Sequence, residues 1–250
     1  MSDLLRYVAS AWTWLVLITC MVILFPVMIL LRLVTAPFDP GRYIVGRVFR
    51  YIGVIVERLN PLWGLRLSGV HIENPRHPYV VVSNHESFAD ILLISNLPWE
   101  MKWLSKAELF RIPLLGWMMR LAGDVPIRRG FGPSAVEAIE QCRQILRNHV
   151  SVMIFPEGTR STTGRMLPFK DGAFRLAVEA GVPVLPLVVA GSGTALPKRG
   201  WKMGRSDAEV RVLEPVPTEG LTADDVAALR NRVRKMIEEA RATMGAAASG

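Results

Sequence analysis

Apolar and polar positions divide the chain into unlike stretches. Residues 7–31 form an unbroken run of 25 without a charge. At about 1.5 Å per residue such a run can span a hydrocarbon layer of ~30 Å. It predicts a retained membrane helix rather than a cleaved signal peptide, being too long and having no small-residue cleavage pattern behind it. Pro26 inside the run leaves two paths open, a kinked helix or a segment that dips into one leaflet and returns. Further on, Ile44, Val45, Val48, Ile52, Ile55, Val56 and Leu59 gather on one helical face, with Arg47, Arg50, Glu57 and Arg58 opposite. Amphipathicity of this kind serves a membrane interface or a core-packing helix equally, and adjacency to the first segment favours the interface.

Beyond residue 60, short apolar runs alternate with helical patterns. Strands are expected near 66–70, 79–83, 100–104, 151–155, 184–190 and 208–213. Helices are expected over 134–147 with a capping box from Ser134 to Glu137, over 172–180 closing at Gly181, and over 222–244. Pro186 is expected to interrupt its strand, because proline cannot donate to a sheet ladder. The fold class that follows is α/β, a helix-flanked, largely parallel or mixed sheet with an N-terminal membrane-attached helical segment. The division is 1–60 for the membrane segment and interfacial helix, 61–244 for one globular domain, and 245–250 for a tail expected to be disordered.

The first motif with chemistry follows the apolar run at 79–82. Asn84-His85-Glu86-Ser87-Phe88-Ala89-Asp90 brings a histidine and a carboxylate into one strand-to-helix turn. Positions i and i+5 point to different faces of a regular helix, so His85 and Asp90 can meet only if His85 lies outside it. Ser87 as N-cap supplies that boundary and puts Asp90 at the third helical position, from which it can hold one imidazole nitrogen. The other nitrogen then accepts a proton from a substrate hydroxyl. A plain capping box with an ordinary turn histidine has the same sequence. The second strand, 151–155, ends in Pro156-Glu157-Gly158-Thr159-Arg160-Ser161, and polar loops after parallel strands border one crevice in open α/β sheets.

The pattern NH(x4)D at Asn84, His85 and Asp90, followed by FPEGTRS at 155–161, resembles the glycerolipid acyltransferases, in particular the 1-acylglycerol-3-phosphate acyltransferases. SKAELFRIPLLGW at 105–117, GDVPIRRG at 123–130, PFKDGAFRLA at 168–177 and VPVLPLVV at 182–189 are similar to the family's other blocks, in the same order. Arg128 departs from the acidic or apolar residue that many members carry there. The resemblance implies that His85 is the general base and Asp90 its orienting partner, with direct attack of a lysolipid hydroxyl on an acyl thioester. It implies phosphate contacts from Arg160 and Lys106 with Arg129, while Glu157, Gly158 and Thr159 shape the acceptor site, bonding glycerol hydroxyls or ordering the loop. It also makes 61–244 an acyltransferase domain and implies no metal or organic cofactor.

Charge fits that picture. Thirty basic against 22 acidic residues give +8, and each basic group near an anionic leaflet contributes roughly 1 kcal/mol of screened attraction. Phosphates of coenzyme A or an acidic acyl carrier protein, the two donors the resemblance allows, gain from the same field. Only Arg6 precedes the apolar run, whereas Arg32, Arg42, Arg47, Arg50 and Arg58 follow it, which puts the domain on the cytoplasmic face of the inner membrane. Nucleic-acid binding is disfavoured, since no helix-turn-helix, zinc-finger or aromatic-basic motif is present. Cys20 and Cys142 offer neither a disulfide framework nor a zinc site. The expected activity gives phosphatidic acid from lysophosphatidic acid. Its alternatives are the same chemistry on a lyso-ornithine lipid, another lysophospholipid or glycerol 3-phosphate, then a thioesterase in which His85 activates water, then a lipid-binding protein without catalysis.

Overall fold

The structure is a computed structural model that describes residues 3–128, 130, 132–161, 164–197 and 200–247. The chain runs α1 (Asp3–Thr35), α2 (Tyr43–Leu59), β1 (Trp63–Gly69), β2 (Val80–Ser83), α3 (Ala89–Ile94), β3 (Met101–Lys106), α4 (Leu115–Ala122), β4 (Val125–Ile127), α5 (Gly132–Arg147), β5 (Ser151–Ile154), α6 (Gly172–Ala180), β6 (Val184–Ala190), β7 (Ser206–Val212) and α7 (Val226–Ala247). The strands form one mixed sheet in the order β1-β7-β6-β2-β5-β3-β4. All neighbours are parallel except β6 and β7. β2 and β5 lie side by side, Val80 opposite Val152 and Val82 opposite Ile154, so the turns after them emerge together at one edge.

Every residue of β2 and β5 is buried, which is why both are continuous apolar runs. Alternate side chains feed two cores: Val81, Met101, Trp103 and Met153 on the face of α1 to α4, and Val80, Val82, Val152 and Ile154 on the face of α5 to α7. Cys142 is packed in the second core, where burial pushes its thiol up to about 12. Pro186 does not interrupt β6. Its carbonyl accepts from Leu213, and its missing N–H falls where the antiparallel pairing with β7 has not yet begun at Leu187.

Three local expectations are corrected. α5 begins at Gly132, so Ser134 lies inside it and its hydroxyl accepts the Arg128 N–H at 3.0 Å instead of capping. α7 extends to Ala247, so 245–247 of the expected tail are helical, and 248–250 lie outside the described residues. α2 is built into the domain: Val45, Ile52 and Val56 are buried against the sheet side. Arg50, expected on its outer polar face, is 5% exposed, forks onto both oxygens of Asp124 and donates to the Met101 carbonyl at 3.2 Å. Lys102 donates to Glu100 at 3.0 Å in the same buried cluster. Gly46 passes so close that a Cβ there would overlap Glu100 and Lys102. Partners more than 50 residues away turn an apparently solvent-facing arginine into a core group.

α1 is one helix through Pro26. One side docks on the domain through Ala9, Ser10, Thr13, Val16 and Met28. Arg6 donates to the Met203 carbonyl, Trp14 to the Trp201 carbonyl and Trp12 to the Leu59 carbonyl, each at 2.9 Å. The other side exposes Val8, Leu15, Val22, Leu30 and Leu33.

Candidate active site

The turn after β2 is fixed before α3 begins. Asn84 pairs with the Val189 backbone of β6 in both directions, at 2.7 and 2.9 Å, and so pins the end of β2. The Asp90 carboxylate folds back over the turn and accepts the N–H groups of Glu86 at 2.8 Å and Ser87 at 3.0 Å. The Ser87 hydroxyl accepts the Ala89 N–H at 3.3 Å while the Asp90 N–H goes to the Ser87 carbonyl, so only the carboxylate half of the expected capping box forms, and the helix proper starts one residue later, after Phe88. His85 remains outside the helix, and its Nδ1 lies 2.8 Å from Asp90 Oδ2.

Because a carboxylate only accepts, that contact makes Nδ1 the donor, and in the neutral imidazole the lone pair is then on Nε2. His85 is 8% exposed, and its imidazole stacks on Phe155 from β5's turn, with centroids 3.8 Å apart and planes 11° from parallel. It faces a cavity of about 260 Å³ whose wall includes Phe88, Ile91, Trp103, Lys106, Thr159 and Arg160. The arrangement is a buried, oriented base beside an apolar cavity with cations at its mouth. It can take a proton from a hydroxyl whose own anionic group lies at those cations.

The predicted residues divide by position. Thr159 and Arg160 line the cavity, and Arg160 has no side-chain partner among the described residues. Lys106 also lines it, half exposed and 3.5 Å from Glu108. Gly158 forms the turn at φ 71°, where a Cβ would meet the Lys170 ammonium at 3.0 Å. Arg129 lies outside the described residues. Glu157 is buried, with Oε1 accepting the His85 N–H and Oε2 the Leu167 N–H, both at 2.8 Å. Of the two roles considered for it, ordering the loop is the one its contacts fill, and no ion pair joins it to Arg160. Burial pushes its carboxyl up, with those two N–H groups opposing.

Three participants escaped sequence reasoning. Ser192, fully buried after β6, donates its hydroxyl to Asp90 Oδ1, 102 positions away in the chain. Phe155 ends an apolar strand and heads the FPEGTRS motif, but nothing in the sequence marks it as the face on which the imidazole rests. Glu86, beside the base, carries an ion pair to Arg241 of α7, and burial pushes its carboxyl up.

A family model described as Acyltransferase matches residues 65–190. The chain is 44% identical over 189 residues to the human 1-acyl-sn-glycerol-3-phosphate acyltransferase alpha, covering 74% of this chain and 67% of that one. A 1-acyl-sn-glycerol-3-phosphate acyltransferase of Saccharomyces cerevisiae is 30% identical over 210 residues, covering 82% of this chain and 67% of the yeast protein. A chloroplastic relative from Brassica napus, BAT2, is 42% identical, and the chain spans only 42% of its length. The crystal structure of the 1-acyl-sn-glycerophosphate (LPA) acyltransferase PlsC from Thermotoga maritima superposes with a TM-score of 0.82 at 24% identity, covering 98% of both chains, which establishes a shared fold.

Proposed function

This chain belongs to the acyltransferase family, and on that footing we propose that it moves a fatty acyl group from a thioester to the free hydroxyl of 1-acyl-sn-glycerol 3-phosphate, giving phosphatidic acid. The observation that carries the proposal is the His85–Asp90 pair, oriented at 2.8 Å and facing a cavity that Arg160 and Lys106 also line. The acceptor phosphate binds at Arg160, whose fork suits a phosphate, with Lys106 as a second charge. Its hydroxyl then reaches Nε2. As the oxygen attacks the thioester carbonyl, Nε2 takes the proton and Asp90 stabilises the imidazolium. The tetrahedral oxyanion collapses, the C–S bond breaks, and the proton passes from His85 to the departing thiolate. Acyl ester and thiol are the only products, and no acyl-enzyme forms.

The setting is a membrane surface. α1 is docked along one side, so its exposed apolar side sits in the near leaflet and brings the cavity to its lipid acceptor. The basic excess holds the domain on the cytoplasmic face, where thioester donors, coenzyme A or carrier protein, are made.

The test supplies purified protein in detergent with labelled acyl-coenzyme A, with and without lysophosphatidic acid, then repeats it with acyl carrier protein. Wild type is expected to form labelled phosphatidic acid and His85→Ala none. Labelled free fatty acid released without any acceptor would replace transfer by thioester hydrolysis. Arg160→Ala is expected to lose about tenfold to a hundredfold in kcat/KM for lysophosphatidic acid, the worth of one charge-assisted contact. An unchanged value removes Arg160 from the phosphate site.

A further inference from the structure

A second cavity opens at the same sheet edge and is not used by the steps above. It measures about 390 Å³ and lies toward α5 and α6, across β3 and β5 from the cavity of His85. Leu104, Ile127, Ile139 and Ile154 give it apolar walls, and Arg128 and Lys170 stand at its exposed rim. Leu104 and Phe155 line both cavities. Phe155 is the ring stacked on the imidazole, so the second cavity ends one aromatic ring from the base.

The two rim cations differ from the charges around them. Arg143 on α5 pairs with Glu140 and Glu179, and Arg230 on α7 pairs with Asp171. The side chains of Arg128 and Lys170 have no ion-pair or hydrogen-bond partner among the described residues. Two unpaired cations over an uncharged wall form a site for a ligand with an anionic outer end and an uncharged inner one. The cavity also lies on the opposite face of the sheet from α1 and α2, away from the membrane side and open to a water-borne substrate.

Direct transfer needs donor and acceptor bound at once, and the acceptor occupies the first cavity. We propose that the second cavity holds the phosphopantetheine arm of the thioester donor, its phosphate at Arg128 and Lys170 and its thioester reaching past Phe155 to His85. That arm is common to acyl-coenzyme A and acyl carrier protein. It carries one phosphate, then an uncharged amide chain ending in sulfur, the order in which cations and apolar walls succeed one another here. The inference rests on the transfer reading for its chemistry but is tested apart from it.

Equilibrium dialysis of the full-length protein in detergent compares 4′-phosphopantetheine with pantetheine, which lacks the phosphate. Wild type is expected to prefer the phosphorylated form by about tenfold or more, and Arg128→Gln with Lys170→Gln to abolish the preference. Both positions are exposed, so the variant keeps its fold. In turnover, the double variant is expected to raise KM about tenfold for acyl-coenzyme A and for acyl carrier protein alike, with KM for lysophosphatidic acid unchanged. Equal binding of the two probes by wild type and variant overturns the proposal. So does a rise confined to acyl-coenzyme A, which would assign the cations to its nucleotide phosphates, or a rise in the acceptor KM. If no wild-type transfer is seen with any donor, the transfer reading fails while dialysis still decides what the cavity holds.

Discussion

The base depends on a carboxylate whose contacts come from two parts of the chain: one turn, which gives the His85 ring and the N–H groups of Glu86 and Ser87, and the segment after β6, which gives the Ser192 hydroxyl. Ser192 is a positioning residue. Its removal leaves Asp90 Oδ1 buried with one donor fewer, a loss of about 1–3 kcal/mol in fixing the carboxylate. Ser192→Ala is expected to lower kcat roughly tenfold, to leave both KM values in place and to move the pH profile of kcat, while Ser192→Thr restores most of the rate. A pH profile identical to wild type would reduce Ser192 to packing. The sequence disclosed His85 and Asp90 because one turn contains both, and a cap pattern explains how they meet. Ser192 has no such mark, since a serine 102 positions away is tied to the turn only by the neighbouring of β2 and β6. Glu157 was found as a residue but not as a role, because backbone N–H partners leave no trace in a side-chain pattern.

Among the elements, those with a period or an unbroken apolar run were legible, and those defined by distant partners were not. β6 and α6 were expected at 184–190 and 172–180, where they stand, because each is long and ends at a glycine, a proline or a polar turn. β4 was missed: three residues with a proline in the middle make no run, and only pairing with β3 makes them a strand. The packing of α2 was missed for an electrostatic reason. Arg50, Lys102, Glu100 and Asp124 sum to zero charge, and the cluster joins the helix to β3 and to the turn before β4. Breaking such a buried pair strands a charge. Arg50→Met is expected to destabilise by roughly 3–5 kcal/mol in denaturant titration, and Arg50→Met with Asp124→Asn by clearly less than the sum of the two single changes. Additive losses would show that the pair is not coupled.

For the whole molecule, the two cavities and the docked α1 impose a direction. One side of the sheet carries α1, α2 and the cavity of His85, and the other side carries the rim of Arg128 and Lys170. The 25-residue apolar run predicts a membrane segment but cannot show which side of the helix is protein, because Ala9, Ser10 and Thr13 differ from their neighbours only in being small or polar. At about 50 Å, a helix of 33 residues could cross a bilayer upright, yet buried positions from Ala9 to Thr35 keep it alongside the domain for most of that length. Crossing while so tied would carry charged surface into hydrocarbon, so the membrane contact we propose is through its outer stripe on one leaflet. Burying one leucine or valine there is worth about 1.5–3 kcal/mol. Leu15→Asp with Val22→Asp is therefore expected to weaken partitioning onto anionic vesicles by a hundredfold or more. Turnover of a short-chain, water-soluble acceptor should stay near wild type, since neither side chain touches the cavity of His85. If partitioning is unchanged, the attachment lies elsewhere; if the soluble assay falls equally, α1 supports the fold of the site and not only its delivery to the membrane.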